Sequence, residues 1–301
     1  QIYDAEEAFS KKEMTKDVNL DHIYGDKPWW QVARDVILMP KEWFGEMFTY
    51  AREKGLVPLS AVHRKEDAEF LLEFDLPAFK VASIDLHYHH LLKQLSKYSK
   101  PFIISTGMAY MHEIADTMQM LENEEDVEEV ILLHCVSCYP SRPDQLNIRN
   151  ISMLQRTFEI PIGFSDHSTG IVSAVIAVTL GAVAIEKHIT LDKNFPGPDH
   201  SFALEPNEMI KMVKAVRQTE QSLGSFRRVM SPEEKEARKI IRRSVIAKIP
   251  MKKGDRITLE KIKFARPGTG ISPNDFFHIN GHRLTKDVDA EDILQWEMLE
   301  T

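Results

Sequence analysis

The sequence has only two cysteines in 301 residues, no long apolar run and no excess of positive charge. Two cysteines cannot form a disulfide framework, so we expect a reducing compartment, the cytoplasm. No apolar stretch approaches the ~20 residues that cross a bilayer, so we expect no membrane partner. A net charge of −8 disfavours nucleic acid as the main partner. No secretory leader is visible, but Gln1 in place of Met makes the start weak evidence.

The sequence does have an ordinary globular composition, with 43% hydrophobic and 28% charged residues, and enough length for a large domain and a small one. Between residues 56 and 190, short apolar runs alternate with amphipathic stretches, which is typical of βα units around a parallel sheet. Polar groups follow five of the six runs, which favours a TIM (β/α)8 barrel over an open doubly wound sheet. The predicted strands are Leu56–Ser60, Ala78–Ser83, Phe102–Thr106, Val130–His134, Ile160–Ser165 and Ala182–Ile189.

The character of the sequence changes after the barrel segment, which we place at residues 1–225. A helix over Asn207–Leu223 closes that segment, and Gly224 ends the helix. The polar, charge-rich residues 226–243 indicate a linker. Short β-like runs in residues 244–301 indicate a small β-rich domain, which needs support from the barrel or from a partner.

Two histidines stand at the ends of successive predicted strands, in Gly163-Phe-Ser-Asp-His167 and Ile185-Glu-Lys-His188. Because side chains alternate along a strand, His167 shares a face with Ser165, and His188 shares a face with Glu186. If both faces point into the barrel, the two imidazoles converge at its mouth and suit Mn²⁺, Zn²⁺, Fe²⁺ or Co²⁺. The alternative is that each histidine only satisfies a hydrogen bond at a strand end.

Hydroxyl groups and one ammonium group cluster at the other strand ends. Together they could surround a phosphate dianion, and the turn after Ser105 could add backbone amides at the start of a helix. Taken singly, each residue is explained as turn chemistry or as a helix cap. The residues are Lys80, Ser83, Ser105, Thr106 and Ser165.

Three other features have ordinary explanations. Cys135-x-x-Cys138 has redox spacing, but no second pair completes a zinc site and a thioredoxin-like context is missing. His87-Tyr-His-His90 is predicted to begin a loop or a helix. Trp29-Trp30 indicates core or interface packing rather than a binding platform.

Several sequence blocks form a more specific series. In the barrel segment they are Lys100-Pro-Phe-Ile-Ile-Ser-Thr-Gly-Met108, Leu133-His-Cys-Val-Ser-Cys-Tyr-Pro140, Gly163-Phe-Ser-Asp-His167, Ile185-Glu-Lys-His-Ile-Thr-Leu-Asp192 and Gly197-Pro-Asp-His200. In the tail they are Arg242-Arg-Ser244, Lys253-Gly-Asp255 and Phe264-Ala-Arg-Pro-Gly-Thr-Gly-Ile271. In residues and order, the series resembles the N-acetylneuraminate (sialic acid) synthase family with its C-terminal antifreeze-like (SAF) domain. The spacing of 21 positions between His167 and His188 fits the family pattern.

The resemblance implies a TIM barrel joined to a SAF domain, in a homodimer whose SAF domains each cover the partner subunit's barrel mouth. It implies a transferase that condenses phosphoenolpyruvate with N-acetylmannosamine, or a related N-acylated amino sugar, and water. The products would be a nonulosonic acid and phosphate. The alternatives are a pseudaminic or legionaminic acid synthase, and a non-catalytic sugar-binding relative.

The resemblance also implies roles for individual residues. His167 and His188 are expected to be catalytic together with Lys80, and to bind a divalent metal. That metal is Mn²⁺, with Mg²⁺ or Co²⁺ as alternatives. The expected phosphoenolpyruvate ligands are Lys80, Ser83, Ser105, Ser137 and Ser165. The expected sugar ligands are Asp85, Tyr139, Asp199 and, from the neighbouring subunit, Arg266.

The chain departs from the family pattern at several positions. Ser60-Ala-Val-His63 stands where Ser-Thr-Pro-Phe is usual, Asp85 where many members have Glu, and Ser137 where some have Asn. These changes leave the exact sugar open. Gln1 is expected at the end of the second strand, so the first βα unit is missing from this sequence. We expect either a fragment of a longer protein or a degenerate member.

Overall fold

A computed structural model describes residues 31, 39–127, 129–197 and 199–300. The chain divides into two compact units, the first ending at Gly224 and the second beginning at Ser225. Trp29-Trp30 and the segment around Gln1, on which the question of the first βα unit depends, lie outside the described residues. Within the described ranges, no helix is long and apolar enough to cross a membrane.

The first unit is built on a parallel sheet of five strands that neighbour one another in chain order. A curled parallel sheet with intervening helices confirms the predicted barrel fold. The described residues contain five of the eight strands of such a barrel. The strands are β1 Phe79–Val81, β2 Phe102–Ser105, β3 Val130–Cys135, β4 Ile162–Asp166 and β5 Ile185–Lys187. The helices are α1 Trp43–Glu53, α2 Lys65–Leu72, α3 His89–Ser96, α4 Met111–Glu122, α5 Asn150–Phe158, α6 Val172–Thr179 and α7 Pro206–Leu223.

The first predicted strand, Leu56–Ser60, is wrong: it is not a strand in the structure. Pairing begins only at Ala61, which bridges Lys80 in parallel. Leu56 and Val57 are 63% and 72% exposed, so this apolar run does not mark a buried strand. The chain therefore reaches the sheet at Ala61, directly after the predicted strand ends and five residues after its predicted start at Leu56.

The core of the first unit lies between the sheet and the helices. Phe79, Phe102 and Phe164 on three strands are fully buried, and they belong to one cluster with Leu92 and Leu95 of α3. Burying a side chain of this size stabilises the fold by about 1.5–3 kcal/mol. Because alternate residues of each strand are fixed in this layer, the residues between them are held on the opposite face of the sheet.

The second unit has a core of its own. Strand β6 Ser244–Ala247 pairs antiparallel with β7 Ile262–Ala265, and a short helix α9 covers Phe276–Ile279. Val245 on β6 is among its fully buried residues. Helix α8, Pro232–Ile241, lies within residues 226–243, which the sequence indicates as a linker.

Candidate functional site

The two histidines meet beyond the ends of β4 and β5. Their ring centroids are 5.1 Å apart. Tyr139 packs against His167 at 4.4 Å between ring centroids, and Phe202 packs against His188 at 5.1 Å. These two aromatic rings shield one side of the imidazole pair from solvent.

Burial keeps the His167 imidazole neutral. Loss of solvation, reinforced by the nearby His188, lowers the pKa of His167 to about 4. At neutral pH the ring therefore keeps a lone pair, which a metal ion or a proton donor can use. Asp199 Oδ2 lies 3.5 Å from His188 Nδ1 and adds a carboxylate to the same place.

The side chains around the two histidines offer few ligands for a metal ion. In the part of the chain that the structure describes, no group of three or more His, Cys, Asp or Glu side chains is arranged to hold one. Two neighbouring imidazoles, one of them with its lone pair free at neutral pH, fit a divalent cation whose other positions are taken by water or substrate.

An ammonium group lies on the same face, one alternation step further down the strands. Lys80 Nζ donates to Ser105 Oγ at 2.8 Å and lies 3.4 Å from Glu186 Oε2. The other oxygen of that carboxylate accepts a hydrogen bond from Ser165 Oγ at 2.5 Å. Side chains from β1, β2, β4 and β5 thus meet at one point, where a cation and hydroxyls are available to an anion.

A second hydroxyl cluster surrounds Gly107. The Gly107 amide donates to Ser83 Oγ at 2.9 Å. A Cβ atom placed on Gly107 would lie 2.2 Å from Ser137 Oγ and 3.1 Å from Cys135 Sγ. Only a glycine lets these two serine hydroxyls approach the backbone, so Ser83 and Ser137 form a small cradle of hydroxyls beside the turn. The turn does not add the expected free amides, because the Thr106 amide and hydroxyl donate to the Leu133 carbonyl and the Gly107 amide donates to Ser83.

Asp85 is nearly buried and is not a free carboxylate. His63 Nδ1 lies 2.6 Å from Asp85 Oδ2, and both side chains are about nine-tenths buried. These two residues occupy positions at which the sequence departs from the family pattern, and the structure brings them into contact.

Tyr139 keeps its proton at neutral pH. Burial raises the pKa of Tyr139 to about 12, and the neighbouring Cys135 and Asp199 add to the effect. The phenol is therefore a hydrogen-bond donor, and about half of the residue stays exposed. Asp199 is partly exposed beside it, so both can reach a ligand from solvent.

The structure assembles most of the residues that the sequence singled out, but not all of them. Lys80, the serines, Asp85, Tyr139, Asp199 and the two histidines belong to the first unit, whereas Arg266 belongs to the second. The His87-Tyr-His-His90 segment leads into α3, where His89 contacts Thr117 instead of the site. Cys135 and Cys138 are free thiols, the first buried and the second exposed.

Sequence reasoning gave no role to two residues that the structure places in the site. Glu186 joins Lys80 to Ser165, and strand alternation with His188 is the signal that could have identified it. Phe202 packs on the imidazoles, and nothing in its local sequence distinguishes it from a core residue.

The chain resembles known proteins along its whole length. The family model described as NeuB family matches residues 1–228, and that of the SAF domain matches residues 242–300. The chain is 35% identical to the pseudaminic acid synthase of Campylobacter jejuni over 85% of its length and 74% of the relative. It is 33% identical to human N-acetylneuraminate-9-phosphate synthase, covering 97% of this chain and 81% of that one.

Solved structures agree with these sequence matches. The N-acetylneuraminic acid (sialic acid) synthetase of Leptospira borgpetersenii superimposes with a TM-score of 0.67 at 29% identity. The superposition covers 79% of this chain and 77% of the synthetase. The likeness therefore extends from sequence to three-dimensional structure.

Proposed function

The chain belongs to the NeuB family of sugar acid synthases, and from this premise we propose that it condenses phosphoenolpyruvate with an N-acylated amino sugar. The sugar is N-acetylmannosamine or a close relative, water is the third reactant, and the products are a nonulosonic acid and inorganic phosphate. The reaction forms a carbon–carbon bond, so the enzyme is a transferase.

One observation supports this proposal above the others. On the shared face of β4 and β5, Ser165 and Glu186 lie one alternation step before His167 and His188. That step is roughly 7 Å along a strand. Lys80 and the serine hydroxyls, which meet at Glu186, are thus separated from the pair of imidazoles by about the length of phosphoenolpyruvate, as a condensation between a phosphate ester and an aldehyde requires.

The site has two sides in this proposal. The phosphate side consists of Lys80, Ser83, Ser105, Ser137 and Ser165. The sugar side consists of Asp85, Tyr139 and Asp199, with Arg266 of a second subunit. The enol carbon C3 of phosphoenolpyruvate attacks the open-chain aldehyde carbon, and water adds to the former enol carbon C2. The resulting tetrahedral intermediate breaks its C2–O bond and releases phosphate, which leaves the 2-keto acid.

The residues of the chain bind, orient and move protons in these steps. Lys80 neutralises charge on the departing phosphate, and the serine hydroxyls donate to its oxygens. Asp199, beside His188, is the candidate base for the water. Tyr139, protonated at neutral pH, donates to a sugar oxygen.

We propose that His167 and His188 hold a divalent metal ion, Mn²⁺ in the first place and Mg²⁺ or Co²⁺ as alternatives. When bound, such an ion supplies Lewis-acid polarisation of the sugar aldehyde. The protein's own contribution is to keep the His167 imidazole neutral by burial and to hold the two rings 5.1 Å apart.

The decisive experiment incubates the full-length protein with Mn²⁺, phosphoenolpyruvate and a panel of N-acylated amino sugars, and measures phosphate release. Release with N-acetylmannosamine alone indicates a sialic acid synthase, and release only with diacetamido sugars indicates pseudaminic or legionaminic acid synthesis. No release with any N-acylated hexosamine rejects the synthase proposal and favours a sugar-binding relative.

The histidine pair has its own test. We expect the double variant His167→Ala/His188→Ala to lose metal-dependent turnover. His89→Ala is the matched control, because His89 contacts Thr117 on α4 and not the site; we expect its turnover to equal that of the wild type. Retained activity in the double variant contradicts the assigned metal site.

We also propose a cytoplasmic homodimer in which the partner subunit's SAF domain brings Arg266 to the sugar side. The test mixes an Arg266→Ala variant with the double histidine variant. If each subunit completes the other's site, the mixed dimer regains part of the turnover that both parents lack. No recovery in a mixture proven to exchange subunits rejects this arrangement.

A further inference from the structure

The face of β4 and β5 opposite the candidate site carries a buried ion pair. Lys187 Nζ donates to Asp166 Oδ2 at 2.9 Å, and the two side chains are 1% and 0% exposed. Asp166 follows Ile162 and Phe164 on the alternation of β4, so its carboxylate points into the layer between sheet and helices. The pair therefore contacts no substrate in the proposed reaction.

This ion pair joins residues that are direct register partners. Asp166 pairs with Lys187, and one step earlier Ser165 pairs with Glu186. The Ser165–Glu186 hydrogen bond ties the two strands on the site face. The two contacts therefore join the paired ends of β4 and β5 on both faces of the sheet, immediately before His167 and His188.

The same carboxylate also fixes the backbone on the far side of His167. Asp166 Oδ1 accepts from the Ser168 amide at 2.8 Å and from Ser168 Oγ at 2.6 Å. Lys187 Nζ donates to the Ser168 carbonyl, and Ser168 Oγ lies 2.8 Å from Ser173 Oγ at the start of α6. His167 is thus enclosed between two residues that the ion pair holds.

We propose that Asp166 and Lys187 are positioning residues, which set the separation and orientation of the two imidazoles. His167 follows Asp166 directly and His188 follows Lys187 directly, so a shift of either backbone moves a ring. A misplacement of about 1 Å at a reacting centre can cost on the order of 10²-fold in rate. The role in turnover rests on the proposed function, but the effect on ring geometry does not.

The simpler explanation is that the pair only stabilises the fold. Buried ion pairs are weak evidence for stability, because desolvation of both charges offsets their attraction. Removing one partner leaves an unpaired buried charge, whereas replacing both with neutral side chains of similar shape is often tolerated. The double variant therefore separates stability from positioning.

The experiment compares Asp166→Asn, Lys187→Met and the double variant with the wild type. We expect each single variant to lower the melting temperature and the double variant to recover most of that loss. In a crystal structure of the double variant, we expect the His167–His188 ring centroids to leave their 5.1 Å separation. Its kcat should be at least tenfold lower, while KM for phosphoenolpyruvate changes less than threefold.

Two further variants keep the inference testable. Ser168→Ala removes the hydrogen bonds of this hydroxyl to Asp166 and Ser173 without creating an unpaired charge, and it serves if the double variant does not fold. We expect a lower kcat with a smaller change in melting temperature than in either single variant of the ion pair. Leu95→Ala creates a cavity behind β1 and β2, and should lower the melting temperature with an unchanged kcat. An unchanged ring separation, or a kcat within twofold of the wild type in the double variant or in Ser168→Ala, overturns the inference. An inactive wild type rejects only the proposed function.

Discussion

A methyl group at position 107 would stand in the middle of the proposed phosphate side. A Cβ atom on Gly107 lies 2.2 Å from Ser137 Oγ, 2.8 Å from Ser83 Oγ and 3.1 Å from Cys135 Sγ. Carbon and oxygen atoms that are not bonded stay about 3.3 Å or more apart, so the Ser137 hydroxyl has to retreat by about 1 Å. The substitution Gly107→Ala is therefore a direct test of the cradle.

The fold should tolerate this change. Both hydroxyls can rotate to another staggered position, and Gly107 has no positive φ that alanine would find strained. Replacing glycine with alanine also restricts the unfolded chain, which is worth about 0.4–1 kcal/mol. We expect the free energy of unfolding to change by less than about 2 kcal/mol, since local overpacking usually costs about 1–3 kcal/mol.

Ligand affinity should fall much more. The displaced hydroxyls of Ser83 and Ser137 lose their hydrogen bonds to the phosphate, and a bond to a charged group is worth about 1.5–3 kcal/mol. Two such losses at the lower value weaken phosphoenolpyruvate binding about 100-fold. Isothermal titration calorimetry measures this affinity, and thermal unfolding measures stability on the same samples.

Two controls accompany the measurement. Gly45→Ala introduces the same methyl group in α1, where it meets only the Phe74 ring, 3.3 Å away at its closest atom; its affinity should equal that of the wild type. The double variant Gly107→Ala/Ser137→Ala lacks the closest clashing atom. Its loss of affinity should therefore be smaller than the sum of the losses in the two single variants. Wild-type affinity in Gly107→Ala would refute the placement of phosphate beside these serines.

Two other predictions concern stability and specificity. His134 is buried and donates to the Leu146 carbonyl at 2.7 Å; burial lowers the pKa of His134 below its usual 6.5. The unfolded chain takes up a proton first, so stability is complete above pH 6.5 and falls below it by up to about 1.4 kcal/mol per pH unit. Buried His167 adds a slope of the same sign, because its pKa is also lowered. Urea unfolding between pH 7.5 and 5.5 should therefore give a smaller slope for His134→Gln than for the wild type, and an identical slope contradicts the prediction. Asp85→Asn removes the charge that holds His63. We expect kcat/KM for the sugar to fall about 10–100-fold, with little change in KM for phosphoenolpyruvate. Equal effects on both substrates contradict the assignment of Asp85 to the sugar side.

Much of the site follows from strand alternation. Ser165 and His167 alternate with buried core residues along β4, so the sequence predicts that they share a face. The ends of β1 to β5 are found near the positions that apolar runs predict, because a doubly covered parallel strand needs a continuous apolar segment. The same rule fails at Leu56–Ser60, where the apolar side chains remain exposed.

Other features depend on contacts that a single sequence cannot specify. Lys187 and Asp166 are 21 positions apart, and only the register of β4 against β5 turns them into a buried pair. The contact between His63 and Asp85 likewise depends on how two strand-end turns approach each other. Phe202 reaches the imidazoles from a loop before α7, which no periodicity describes.

The two sides of the site differ in how tightly they are built. On the phosphate side, Lys80, Ser105, Ser165 and Glu186 bond to one another across four strands, so changing one disturbs the others. On the sugar side, Asp85 is buried against His63, whereas Tyr139 is half exposed and its hydroxyl can be replaced without disturbing a contact between strands. In the proposed reaction, this scaffold would hold the phosphate donor through four strands and would leave one sugar contact, Tyr139, open to substitution. Substitution at such a contact would change the sugar without rebuilding the phosphate side, and the names of the relatives do specify different sugar acids.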